Sequence, residues 1–257
     1  WLKISNYSKR LNLEFSPEED KTVLIFWSML PPLEEDLEEL SKIPELKAIF
    51  YWMRGRRPEG PFPKNSSYGG RRVFKGINQL TYYIQPGVFV QTNWEINLEI
   101  AKTFKKWIPE YRKVLDLHSG MGNFLFSLID KGDRFLGVDT DLRAIEDALY
   151  ILSKLNLNGR IDFRNISAHE ALHEALKTEE TFDLVILDPP RGGCKEILKL
   201  LSEVAEKYIL YVSCDPPTLA RDLLILKKLG YQLIKLALFD MFPQTYHLEV
   251  LSLLQKG

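Results

Sequence analysis

The sequence predicts an α/β protein, a doubly wound Rossmann-like domain with a mixed seven-stranded sheet, preceded by a smaller α+β part. Three observations predict it. From Lys113 onward, short apolar runs at 114–117, 135–138, 161–163, 184–187 and 209–212 alternate with stretches of helical period. Apolar strands separated by helices imply a mainly parallel sheet covered on both faces. The tail then breaks the alternation. Runs 232–239 and 246–253 are strand-like and joined only by the turn around Pro243, which predicts a closing antiparallel hairpin. Lastly, the first run leads directly into a turn bearing Gly120 and Gly122, as the first strand of a ligand-binding α/β sheet does.

Taken in order, residues 1–95 form the smaller part and 96–257 the doubly wound domain. Strands are expected at 11–15 and 21–27. A helix is expected over 32–47, with its acids early, as a helix N-terminus prefers. The chain should be extended again near Val73 and over 82–90. In the larger part, 141–155 reads as a helix with Ile145, Ala148, Leu149, Leu152 and Leu155 on one face. A further helix is expected over 218–229.

Composition narrows the function classes. Hydrophobic residues are 45% and charged residues 27%, the balance of a globular chain rather than a disordered one. No apolar run reaches the ~18 residues that a membrane span needs, so no membrane partner is expected. The chain starts at Trp1 without Met, which points to a truncated or omitted start. The net charge of -1 gives no nucleic-acid signal, but its distribution does: residues 54–75 hold seven basic residues and one acid. Such a stretch suits phosphates; a solvated loop and hairpin explains it equally well. Cys194 and Cys214 are too few for a disulfide scaffold, which fits a reducing, cytoplasmic setting. They are also too few to ligate an iron–sulfur cluster.

Chemistry-bearing residues collect at the predicted strand ends. Asp116-Leu117-His118-Ser119-Gly120-Met121-Gly122-Asn123-Phe124 is a strand end, a glycine turn and a helix start. Asp139, at the next strand end, is spaced to hydrogen-bond ribose hydroxyls. The turn lacks the G-x-G-x-x-G pattern, and Asp116 before it suits a cationic amino-acid group better than a pyrophosphate. Asp188-Pro189-Pro190-Arg191 follows the fourth run, with a carboxylate at the crevice and two prolines that stiffen the loop. Cys214 ends the fifth run, where position favours a nucleophile although free cysteines are usually buried packing residues. Glu249 lies in an apolar strand, a costly place for a carboxylate unless it is paired or protonated, and so a candidate acid or base.

The segment Ser213-Cys214-Asp215-Pro216-Pro217-Thr218-Leu219-Ala220-Arg221-Asp222, followed by Asp240-Met241-Phe242-Pro243-Gln244-Thr245-Tyr246-His247-Leu248-Glu249, resembles the signature of the uridine-C5 RNA methyltransferases. Phe89-Val90-Gln91-Thr92-Asn93, the 116–124 turn and Asp188-Pro189-Pro190-Arg191 match in the same order, over roughly residues 75–257. The resemblance implies S-adenosyl-L-methionine as methyl donor and 23S rRNA or tRNA as substrate. It implies that Cys214 adds to C6 of the uracil and that Glu249 removes the C5 proton. Gln91, His118, Asn123, Asp139 and Asp188 fall at its cofactor positions. Phe89, Pro189 and Arg191 fall on the substrate side, Phe89 where an aromatic stacks near an extracted base. Asp215 stands where the family usually has Asn, and His118 where Tyr or Phe is commoner. Many members also carry an iron–sulfur site or a small RNA-binding barrel, and neither is visible in this sequence.

Other readings compete. His169-Glu170-Ala171-Leu172-His173 fits a zinc-protease pattern. However, Ser167 with Glu170 forms a capping box, and an apolar face of Ala168, Leu172, Ala175 and Leu176 turns both histidines outward, so no metal site is expected. Cytosine-C5 methylation needs a cysteine directly after a proline in the fourth-strand motif. Cys194 lies four residues after Pro190 and reads better as packing. Amino-group methylation prefers an aromatic residue where Arg191 stands. A non-catalytic RNA-binding module would leave Cys214 and Glu249 without a purpose.

Overall fold

The computed structural model describes the chain except residues 1–3, 5, 6, 9, 109, 156, 158 and 246. It divides into two compact units, Trp1–Val88 and Phe89–Gly257.

The first unit is built on β1 (Leu11–Ser16), β2 (Lys21–Ser28), α1 (Glu34–Ser41), β3 (Leu46–Met53) and β4 (Glu59–Phe62), with a hairpin of β5 (Arg72–Lys75) and β6 (Thr81–Ile84). The four-stranded sheet runs β1-β2-β3-β4; β2 and β3 are parallel and the outer strands antiparallel to them. Two expectations are corrected here. The helix expected over 32–47 stops at Ser41, because Pro44 cannot continue a helix and disfavours helical backbone just before it. The apolar run that follows is β3, which the helical expectation had partly absorbed. The extended stretch expected over 82–90 ends at Ile84, and Val88 N–H closes a turn on Gln85 O. Arg72, in the basic stretch, is buried and structural: it pairs with Glu14 at 3.0 Å and donates to Val88 O at 2.6 Å.

The second unit comprises α2 (Trp94–Trp107), β7 (Lys113–Asp116), β8 (Arg134–Val138), α3 (Leu142–Leu152), β9 (Ile161–Arg164), α4 (Ala168–Lys177), β10 (Phe182–Leu187), α5 (Leu198–Val204), β11 (Ala205–Ser213), α6 (Pro216–Lys228), β12 (Tyr231–Phe239) and β13 (Glu249–Lys256). Its seven-stranded sheet is ordered β12-β13-β11-β10-β7-β8-β9. Strands β7 to β11 are parallel; β13 inserts between β11 and β12 and runs against both. This is the mixed sheet with a closing hairpin that the sequence predicts. The hairpin's second strand begins at Glu249, and Tyr246, the expected first residue, lies outside the described residues.

Local chemistry explains the departures. The helix expected after Phe124 is only a 3-10 turn, Leu125–Leu128, all four of whose residues are buried, because the chain must reach Arg134 on β8 within a few residues. Helix α3 buries Ala144, Ile145, Ala148 and Ile151, whereas Leu149 is exposed, so its inner face is rotated from the expected one. Helix α4 has the expected capping box: Ser167 Oγ accepts from Glu170 N–H and Glu170 returns to Ser167 N–H. Helix α6 starts at Pro216 rather than 218. The Asp215 side chain accepts from Thr218 N–H at 2.9 Å, and a proline without an N–H suits the first turn. The core of this unit fills the space between β10, β11 and helices α4 to α6, with Leu187, Leu198, Leu201, Tyr211 and Leu226 among its buried residues. It fixes the strand ends that carry the polar residues.

Candidate active site

The sheet register brings the polar residues to one rim. Asp116 ends β7 level with Ile186 on β10 and Gly137 on β8. Two residues further on, Asp188 and Asp139 leave their strands together. On β11, Ser213 pairs antiparallel with Val250; Cys214 follows the first and Glu249 precedes the second, so both stand at the same end of this strand pair. The C-terminal ends of parallel strands are where ligands bind in open α/β sheets.

At the β7–β8 side the rim is built to hold a ligand. Gly120 N–H donates to Asp139 Oδ2 at 2.8 Å and Asp141 N–H to Asp139 Oδ1 at 2.8 Å, which fixes that carboxylate at the turn. Gly122 needs its glycine: its φ is +84°, and a Cβ would lie 2.5 Å from the Phe126 ring. Asp116 is 1% exposed, and its Oδ2 has no hydrogen-bond partner among the described residues. Burial pushes its pKa up to about 8; the His118 N–H opposes this and the Asp139 charge adds to it. The His118 Nδ1 is likewise buried without a hydrogen-bond partner, and burial lowers the imidazole pKa so that the ring is neutral near neutral pH. A buried carboxylate oxygen left unpaired is costly unless a ligand completes it. The chemistry of this set fits a cationic amino group at Asp116 and ribose hydroxyls at Asp139. Asn123, next to Gly122 in the same turn, exchanges two hydrogen bonds with Asn97 of α2, at 2.8 and 2.9 Å. Asn97, which has no sequence signal of its own, therefore positions Asn123.

At the β10–β11–β13 side a second set of titratable groups converges. Glu249 is 5% exposed, and burial raises its pKa to about 7. Asp188, recessed at the rim, has its pKa raised well above the usual carboxylate range by burial and then by the charges of Glu249 and Asp116; a hydrogen bond from Gln91 works against that rise. Burial raises the pKa of the half-buried Cys214 thiol, and the Glu249 and Asp188 charges raise it further, while the charge and hydrogen bond of Arg191 favour the thiolate. Pro189 is buried and Arg191 is exposed. Phe89, at the start of the unit, is 74% exposed, an aromatic ring open to solvent. Asn93 caps α2 by accepting from Ile96 N–H and donates to Met241 O at 3.4 Å, holding the connection that leads into Glu249.

The second cysteine lies elsewhere. Cys194 is 1% exposed; its thiol, pushed up to about 12 by burial, donates to Tyr211 Oη at 3.4 Å. That is a packing role, as the sequence predicts, and not that of a nucleophile. The two histidines of α4 pack edge to face at 4.4 Å, and no group of three or more metal-ligating side chains is found among the described residues. No helix among the described residues is long and apolar enough to cross a membrane.

A parallel sheet closed by one reversed strand next to its last edge, with acids ending its first, second and fourth strands, is the Rossmann-like methyltransferase fold. The chain belongs to the tRNA (uracil-5-)-methyltransferase family, whose model matches residues 75–257. It is 32% identical to an uncharacterized RNA methyltransferase of Aquifex aeolicus over 99% of this chain and 59% of that protein. It is also 32% identical to the 23S rRNA (uracil(1939)-C(5))-methyltransferase RlmD of Hahella chejuensis, over 99% of this chain and 58% of that one. The chain thus spans less than two thirds of the length of these relatives. Among solved structures, the Pyrococcus abyssi tRNA (uracil-54, C5)-methyltransferase in complex with S-adenosyl-L-homocysteine matches with a TM-score of 0.70 at 25% identity, covering 94% of this chain and 58% of that one. The Methanocaldococcus jannaschii tRNA m1G37 methyltransferase, at 15% identity and a TM-score of 0.59, shares the fold.

Proposed function

We propose that this protein transfers a methyl group from S-adenosyl-L-methionine to C5 of a uridine in RNA, by way of a covalent bond between Cys214 and C6 of the base. The observation that carries the reading is that Cys214 and Glu249 stand next to the Ser213–Val250 pair of β11 and β13, with the Glu249 charge and an Arg191 hydrogen bond both acting on the Cys214 thiol. C5 of uracil is a poor nucleophile until C6 is attacked. The Cys214 thiolate adds to C6 and pushes an electron pair towards C5, and Arg191 favours the charged sulfur at that step. S-adenosyl-L-methionine supplies the methyl group that the C5 carbon accepts. Glu249 then takes the C5 proton, the electron pair returns to form the C5–C6 double bond, and the C6–S bond breaks to release Cys214 as thiolate. With a pKa raised to about 7, Glu249 is matched to accept a proton near neutral pH.

Asp116, Asp139, His118, Gln91 and Asp188 line the cofactor side, with the unpaired Asp116 oxygen receiving the cationic amino group. Asn123 belongs to the same side, through the pair it forms with Asn97. The exposed ring of Phe89 offers a stacking surface to an unpaired base.

The first unit serves RNA binding. Arg54, Arg56, Arg57 and Lys64 are exposed. Trp52 donates from its indole to Arg56 O at 2.8 Å and stacks on Trp27 at 6.0 Å, which pins the arginine turn; Arg10 covers the Trp27 ring at 4.5 Å. Aromatics interleaved with arginines suit single-stranded RNA. Both 23S rRNA and tRNA are candidate substrates, and a reducing, cytoplasmic setting suits the free Cys214 thiol.

The test is nucleoside analysis by mass spectrometry after incubating unmodified tRNA and 23S rRNA transcripts separately with the protein and S-adenosyl-L-methionine. The expected product is 5-methyluridine in one pool. Formation of 5-methylcytidine or an N-methylated base instead would overturn the reading.

A further inference from the structure

The Cys214–Arg191 contact depends on two loops from different strands meeting at the rim. Arg191 is exposed and sits on the irregular stretch that leaves β10, so something must hold that stretch against the start of α6. A buried polar cluster joins the two. Asp222, in the second turn of α6, is 0% exposed. Its Oδ2 accepts from Cys194 N–H at 3.0 Å and from the Tyr211 hydroxyl at 2.7 Å. Its Oδ1 accepts from Arg221 Nε at 2.9 Å and pairs with Arg221 Nη2 at 2.7 Å. Arg221 Nη2 also donates to Gly192 O at 2.9 Å. Gly193 lies at φ +73°, and a Cβ there would come within 2.4 Å of Thr218 Cγ2 and 2.5 Å of Asp222 Oδ2, so the loop is seated directly on the helix.

Each partner belongs to a segment that delivers an active-site group. Gly192 and Cys194 flank the end of the Asp188–Arg191 stretch, Tyr211 lies three residues before Cys214 on β11, and Asp222 stands on the helix that begins just after Cys214. A buried charge is weak evidence for stability, since apolar packing of similar volume does as well or better, whereas a satisfied polar cluster fixes geometry.

We propose that Asp222 is a positioning residue: with Tyr211 and Arg221 it clamps the Arg191 loop onto α6, so that the Arg191 guanidinium meets the Cys214 sulfur. The clamp deepens the proposed function, on whose assignment of Cys214 as nucleophile its catalytic relevance rests. It acts through Arg191 and touches no reacting atom.

The experiment is alkylation of the whole protein with iodoacetamide across pH 6–10, resolved by peptide mass spectrometry so that Cys214 is followed apart from Cys194, in wild type, Asp222→Asn, Arg191→Gln and the double variant. A shift of about one unit in the thiol pKa lowers the thiolate fraction about tenfold below that pKa. Asp222→Asn is therefore expected to slow Cys214 alkylation at pH 7.5 about tenfold and to move the inflection to higher pH. Arg191→Gln should do the same, and the double variant should be no slower than Arg191→Gln alone. A purely structural Asp222 would leave the inflection where it is, and effects of the two substitutions that multiply would equally overturn the clamp. Should Asp222→Asn fail to fold, Tyr211→Phe removes a single donor and is expected to shift the inflection the same way by a smaller amount; an unmoved inflection there overturns the clamp as well. The readout needs no RNA. A Cys214→Ala protein that still forms 5-methyluridine defeats the proposed function while leaving the alkylation result standing.

Discussion

Replacing Glu249 by Gln isolates the base, because it keeps the size and most of the packing of a 5% exposed side chain and removes its ability to accept a proton. A positioned general base contributes about 10²–10⁴-fold, so turnover should fall by that factor. The structure adds a second signature. Burial raises the Glu249 pKa, so the carboxylate form that accepts the proton is present above about pH 7 and lost below it. In wild type, Glu249 should contribute about a tenfold rise in kcat from pH 6 to pH 8, as its ionised fraction goes from about one tenth to about nine tenths. In Glu249→Gln that contribution should be lost, leaving only the rise that the Cys214 thiolate supplies. The third signature follows from the order of events: without C5 proton removal the C6–S bond cannot break, so the adduct persists. The assay is multiple-turnover release of free 5-methyluridine RNA across pH, with denaturing electrophoresis in parallel. Turnover within about threefold of wild type, or an unchanged pH limb, would refute Glu249 as the base.

Three further outcomes are expected. Cationic ligand binding at Asp116, whose pKa is raised to about 8, drives a proton off, so affinity for S-adenosyl-L-methionine should rise with pH below about 7.5, where the ligand's amino group is still protonated; titration calorimetry at pH 6 and 7.5 should find this in wild type and a flat profile in Asp116→Asn, and a rise kept by that variant would refute it. Gly122→Ala places a Cβ 2.5 Å from the Phe126 ring at a left-handed φ, so thermal unfolding should report a loss of about 2–4 kcal/mol from strain and overpacking, and a loss under about 0.5 kcal/mol would contradict the packing described. Arg54→Glu with Arg56→Glu should weaken RNA binding and flatten its salt dependence by about one unit of slope per lost phosphate contact, with cofactor affinity unchanged; an unaltered salt slope would remove the first unit's arginine turn from the RNA surface.

Much of the fold and site was legible because the signals were periodic or sat at strand ends. The five apolar runs of the parallel sheet stand where the sequence places them, and Asp116, Asp139, Asp188 and Cys214 follow from the rule that such strands aim their C-terminal ends at the ligand. Less legible was whatever depends on distant packing. The acidic helix α1 runs on towards the apolar strand β3 without a clear break in period; Pro44 is the signal that divides them. The 3-10 turn at Leu125–Leu128 looks like a helix start because every residue in it is buried and helix-compatible. The nearness of Cys214 to Glu249 depends on β13 inserting between β11 and β12, a topology that no local pattern encodes. Arg72 shows the limit of charge counting: it belongs to a basic run, yet pairs with Glu14 inside the first unit. Asn97 carries no motif, and Asp222 lies inside the signature segment without a role assigned to it; both become visible only through the residues they hold.

The most direct test of the central claim is to trap the bond itself. RNA carrying 5-fluorouridine, incubated with the protein and S-adenosyl-L-methionine, puts fluorine where Glu249 would take a proton, so the adduct formed after methylation cannot be released. Digestion and peptide mass spectrometry should then find a methylated fluorouridine nucleotide on the peptide containing Cys214. A nucleotide on Cys194, or no adduct from a preparation that converts ordinary RNA to 5-methyluridine, would contradict the account.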